Sequence, residues 1–455
     1  MMSPRCYLYY KIDVSEGCIY LIINNQKYYI MNLDAINILR KEKGLESSAH
    51  EEAIKMYPKP DIIRWLETET DEYGCVYDME GKRLLRLENP ADIEYCKIRE
   101  GIEVIGDSVF SCCRRLKSVI LPQSLKSIGI GAFKHCESLE SIEFPSSLEI
   151  IYHNAFEGCT SLKYVVFSDT MKGSIGSFAF KDCTSLKHVV FPITMKGSIG
   201  SFAFKDCKSL RRIVLPEGID SLGCKPFPNG IELVLKSNYF AVEDGLLIDT
   251  EYGSLIQCVS EKFDVVVPDN VRVIADYAFS DCTMLRSVTL PKRIMKIGKG
   301  AFKGSKNLQD VTIPTPVDML TGVKPSSKSL PVYQRYSRAM LRQRLSEIKE
   351  FTFEGCTSLQ TIILPSSIIR IESSAFRGCK LLQSIVFTSL VEEIGIGAFD
   401  ECDALQTIFV GKDRKEYYKE LLGRYKGYEL LIESNGQRKL FKDPVDMTKL
   451  YIEEI

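Results

Sequence analysis

Histidine, cysteine and carboxylate side chains carry most enzymatic and metal chemistry, and this chain has four histidines and 16 cysteines among 455 residues. The histidines are His50, His135, His153 and His188, and none makes a metal-like pair with cysteine or carboxylate at helical spacing. Cys-x-x-Cys, a phosphate-binding loop and a nucleophile elbow are likewise missing from the sequence. The adjacent Cys112 and Cys113 invite a redox reading, but Cys113 belongs to a regular series with Cys136, Cys159, Cys183, Cys207, Cys282, Cys356, Cys379 and Cys402. Cysteine on an inward column behaves as a small hydrophobe, so reduced structural thiols are expected. These residues predict no enzyme, no metal and no cofactor.

The remaining candidates are side chains that make contacts. Tyr164, His188 and Arg212 recur at one position of a repeat, beside Val166, Val190 and Val214 at another. An aromatic, an imidazole and a guanidinium next to an apolar stripe have the makeup of a protein or peptide contact patch. A second candidate is the basic run VYQRYSRAMLRQRLSEI, which could be helical with Arg335, Arg338 and Arg342 on one face, a docking arm for an acidic partner.

What positions the first set is a phenylalanine that recurs at Phe110, Phe133, Phe156, Phe180, Phe204, Phe227, Phe279, Phe302, Phe353, Phe376 and Phe399, mostly 23 or 24 residues apart. A period of this length marks a solenoid, whose units are too small to bury their own apolar faces and must stack. An aliphatic residue lies five before the phenylalanine, as at Ile105 and Ile128, and a leucine six after it, as at Leu116 and Leu139. Alternating apolar residues at nine and eleven, such as Ile142 with Phe144, predict a short strand that a proline often ends. Stacked in register, these strands make a parallel ladder whose residues at eight and ten face away from the core. That count selects the six patch residues.

The units KSIGIGAFKHCESLESIEFP and RIESSAFRGCKLLQSIVF closely resemble the BspA-like leucine-rich repeats of anaerobic bacteria, over roughly residues 93 to 432. The resemblance implies a right-handed solenoid and a non-catalytic binding protein, often a surface adhesin. The expected fold is therefore an α/β leucine-rich-repeat solenoid of about 11 units of 23–24 residues with two inserted hairpins, and a small α+β head. Residues 1–73 form that head, with three strands, a helix capped by Asn32, a capping box at Ser48 and Glu51, and a helix starting at Pro60. Residues 74–432 form the solenoid, with hairpins near 74–87 and 237–262 and the basic insertion at 315–347. Residues 433–455 form a cap or tail.

Composition narrows the partners. The 59 basic and 60 acidic residues argue against an electrostatic nucleic-acid binder, and no run of 18 apolar residues predicts a transmembrane segment. The expectation is a monomer that binds a protein or peptide. The amino terminus MMSPRCYLYYKIDVSEG does not read as a signal peptide, which predicts a cytoplasmic chain, with the cell surface as the alternative through a trimmed signal or another export route. An intracellular scaffold acting through the head and the basic insertion is the second functional reading.

Overall fold

The computed structural model describes residues 10–15, 18–23, 26–32, 68–78, 81–168, 173–314, 345–387, 391–410, 417 and 451–454. Most of them wind into a parallel-strand β-solenoid. Each coil adds one strand to each of two ladders, where the sequence pattern had suggested only one. The short ladder runs through the aliphatic before the phenylalanine, as in Val104–Ile105, Ser127–Ile128 and Ile150–Ile151, paired in parallel register. The long ladder contains Ser118–Ile120, Ser141–Phe144, Tyr164–Phe167 and His188–Val190, then Arg212–Leu215 and Glu232–Leu235.

Along the long strands burial alternates as the period of two requires: Ser141 and Glu143 are exposed, Ile142 and Phe144 buried. The return path between ladders is not helical. Residues two before and two after the phenylalanine have positive φ, as in Ser108 (55°) and Cys112 (62°), or Phe178 (59°) and Asp182 (60°). Two left-handed residues per coil stop a right-handed helix from starting. Among the described residues only Tyr417 is helical, so the α part of the expected α/β class has no other counterpart there.

The core is built as columns. All eleven repeat phenylalanines are at most 1% exposed. Their rings stack coil on coil, 4.7 Å apart for Phe110–Phe133, 5.1 Å for Phe156–Phe180 and 5.3 Å for Phe180–Phe204. The cysteine beside each ring also does more than fill space. Cys136, Cys159, Cys183 and Cys207 donate S–H to the carbonyls of Phe110, Phe133, Phe156 and Phe180, at 3.1 to 3.2 Å. Where the series substitutes serine, Ser305 Oγ donates to the Phe279 carbonyl at 2.6 Å, and Cys356 resumes the pattern with Phe302. The position selects a small donor, which explains why serine can stand in for cysteine there.

The two insertions treat the columns differently. Across 315–347 the stack continues without a step, Phe302 lying 5.2 Å from Phe353 with the rings 1° from parallel. At the other gap, Phe240–Glu243, Leu246–Asp249 and Ser254–Cys258 form an antiparallel meander whose last strand feeds the short ladder at Val273–Ile274. Here fully buried Gln257 stands beside Phe227: its Nε2 donates to the Phe227 carbonyl at 2.8 Å, and its Oε1 accepts from the Phe227 N–H at 3.2 Å. The amide satisfies backbone groups that a missing coil would otherwise leave orphaned.

The first hairpin is part of a similar meander, since Thr68–Thr70 pairs with Cys75–Asp78, which pairs with Arg83–Leu87. Tyr10–Ser15, Cys18–Ile23 and Gln26–Asn32 make a separate antiparallel three-stranded sheet. The helices expected after Asn32, Ser48 and Pro60 lie outside the described residues. At the other end Tyr451–Glu454 adds to the long ladder in parallel with Thr407–Val410.

Candidate functional site

The patch selected from the sequence lies in the long ladder. Tyr164, Val166, His188, Val190, Arg212 and Val214 all face solvent, with Val190 54% exposed and Tyr164 48%. Their strands present them because the intervening Val165, Val189 and Ile213 are buried beneath. Parallel register puts Tyr164 beside His188 and Val166 beside Val190. The tyrosine and imidazole rings stack, with centroids 5.4 Å apart and planes 6° from parallel.

Arg212 departs from the expected three-member stack. The long ladder divides between His188–Val190 and Arg212–Leu215, and the next coil offers Arg212 an opposite charge: its Nε lies 3.4 Å from Glu232 Oε1. Val214 continues the apolar stripe to Val234 through the same pair of strands. The second candidate set, Arg335, Arg338 and Arg342, lies outside the described residues.

Counting seven after the phenylalanine would have added Lys163, Lys187 and Arg211 to the patch; the signal was present in the repeat and unused. A different column was missed because it defies backbone preference. Phe178, Phe202, Tyr277 and Phe351 occupy left-handed positions that other coils fill with glycine, serine, asparagine or, at Lys225, lysine. Phe178 stacks on Phe202 at 5.1 Å, and Lys299 and Lys303 lie over Phe351 at 5.0 and 4.8 Å.

The titratable groups are arranged for structure. His153 Nδ1 accepts from the Ser177 N–H at 3.0 Å. Burial pushes the thiols of Cys183, Cys207 and Cys356 up, and that of Cys113 up to about 12, so these sulfurs stay protonated and weakly nucleophilic. Cys258 differs: Cys282 and the Ser260 it contacts draw its thiol down, although it is only 1% exposed. Close by, Lys225 is 3% exposed and donates to the carbonyl and hydroxyl of Ser280, tying the coil of Phe227 to the coil of Phe279. Burial pulls its ammonium down. A cavity of about 260 Å³ opens beside it, lined by Lys205, Asp206, Lys208 and Asp281 among others. Among the described residues no three His, Cys, Asp or Glu side chains converge as a metal site requires.

Two stacked parallel ladders, a phenylalanine column and a 23-residue frame define a leucine-rich-repeat solenoid. The chain matches the BspA type leucine rich repeat region over residues 88–197, 173–234, 257–322 and 335–426, and belongs to that family. A leucine rich cell surface protein of Faecalibacterium prausnitzii shares the fold, at 24% identity over 77% of this chain and 97% of its own, with a TM-score of 0.60. The pneumococcal vaccine antigen PcpA shares it at 19% identity over 88% of this chain and 87% of its own, with a TM-score of 0.51. A comparison with curated proteins finds no match. Among the described residues no helix is long and apolar enough to cross a membrane.

Proposed function

We propose that this BspA-type repeat protein is a non-catalytic, adhesin-like binder that holds another protein on the exposed face of its long ladder, at Tyr164, Val166, His188, Val190, Arg212 and Val214. The observation that carries the reading is the stacked Tyr164–His188 pair flanked by a half-exposed valine stripe on adjacent strands. Aromatic side chains held rigid by stacking lose little entropy when a partner docks, and exposed valines beside them supply area to bury. The description of the Faecalibacterium relative as a cell surface protein favours the surface over the cytoplasm as the place where this face works.

The test is peptide display selection on the immobilised full chain. Selected ligands should lose most of their affinity for the triple variant Tyr164→Ala, His188→Ala, Arg212→Ala, while its thermal melt stays where it was. Ligands that bind the variant equally well place the site elsewhere; loss on deleting residues 1–73 instead would favour the scaffold reading.

A further inference from the structure

One column of the long ladder breaks a rule that its earlier members keep. Seven residues after the phenylalanine position the charges alternate: Glu94, Lys117, Glu140, Lys163. Neighbours along it pair, Lys117 Nζ with Glu94 Oε2 at 2.8 Å and Lys163 Nζ with Glu140 Oε2 at 3.0 Å. Alternation calls next for a carboxylate, but Lys187 and Arg211 follow. The Lys187 N–H donates to the Lys163 carbonyl at 3.0 Å, so two lysines leave adjacent strands at one register, about 4.8 Å apart. Lys187 and Arg211 are exposed, and neither has an ion-pair partner among the described residues.

Like charges set opposite each other weaken a sheet, so this run is stability given up. The nearest acids do not compensate it. Glu140 and Glu232 are engaged by Lys163 and Arg212, and Glu143, in register with Val166, bounds the patch on the amino-terminal side. Farther along the same strands, past the outward column of Tyr164, His188 and Arg212, runs the stripe of Val166, Val190 and Val214, 40%, 54% and 40% exposed.

We propose that the partner is an acidic protein segment in extended form, with carboxylates opposite Lys187 and Arg211 and apolar side chains along the valine stripe. The proposal rests on the protein-binding reading above and specifies the partner's chemistry. Charge complementarity selects the acidic character, and the valines select protein. A sulfated polysaccharide or a nucleic acid would neutralise the cations and leave the stripe bare.

Fluorescence anisotropy with the full chain tests this, using a synthetic peptide that alternates glutamate and valine, its lysine–valine counterpart, and heparin as competing polyanion. The acidic peptide should bind at least about tenfold more tightly than the basic one. The double variant Lys187→Glu, Arg211→Glu should reverse that order, and Val190→Ser with Val214→Ser should weaken the acidic peptide. Lys187→Glu alone restores the alternation, so the unliganded protein should melt about 1 °C higher even as it loses the peptide. Equal binding of the two peptides, or binding of neither, overturns the proposal. So does heparin binding indifferent to the valine variants, which would assign the cations to a polyanion. Displayed ligands that need Tyr164, His188 and Arg212 but ignore Lys187 and Arg211 would leave the protein-binding reading standing and remove the acidic partner.

Discussion

At the scale of single residues the repeat is held by two kinds of contact that answer to different tests. Phe180 sits fully buried between the rings of Phe156 and Phe204, so its loss would leave a gap within the stacked column. Phe180→Ala should cost about 3 to 5 kcal/mol in a denaturant titration, transfer and cavity together. Glu157 is the polar counterpart. Burial alone would raise its carboxyl, but hydrogen bonds from Lys134, Lys181 and Asn154 outweigh that and hold it down to about 2. A carboxylate depressed in the fold contributes stability above its unfolded value of about 4.3, and loses it as pH falls toward the folded value. Wild-type stability should therefore decline between about pH 4.5 and 2 more steeply than that of Glu157→Gln, as equilibrium unfolding across that range would show.

At the scale of elements the two insertions make opposite predictions. Residues between Phe302 and Phe353 interrupt the sequence period but leave the ring stack at 5.2 Å. Excising the segment 315–342, which directly follows Pro314, restores a 23-residue spacing and should thus keep a single cooperative melt. A split or lost transition would show that the insertion supports the coils. The meander after Phe227 cannot be removed in the same way, because Gln257 supplies both hydrogen bonds to the Phe227 backbone. Gln257→Met keeps the volume and orphans both groups, at about 1 to 3 kcal/mol each, measurable as a fall in denaturation midpoint.

At the scale of the whole molecule the cysteines report on the solenoid as a unit. Cys112 is exposed, while the ladder cysteines are buried. A thiol reagent added to native protein should modify Cys112 quickly and leave Cys183 and Cys207 untouched until the solenoid unfolds, as peptide mapping would reveal. Early labelling of the ladder would mean that coils open independently. Ladder cysteines recovered as disulfides would overturn the reduced reading.

The period, the phenylalanine and cysteine columns, the alternation that exposes Tyr164, His188 and the valines, and the two antiparallel insertions were legible in the chain itself. Each is a local pattern repeated many times, and repetition at a fixed offset can satisfy only a stack. The second ladder was not legible, since two residues per coil are too few to show a strand period. Nor were the left-handed returns at Phe178 and Phe202, where aromatic residues occupy a backbone region that their type disfavours. The tertiary structure alone decided that Arg212 turns to Glu232 rather than to His188, that Gln257 caps Phe227, and that Lys225 joins two coils. These depend on which side chain a neighbouring coil brings within reach, and that distance exists only after the coils have stacked.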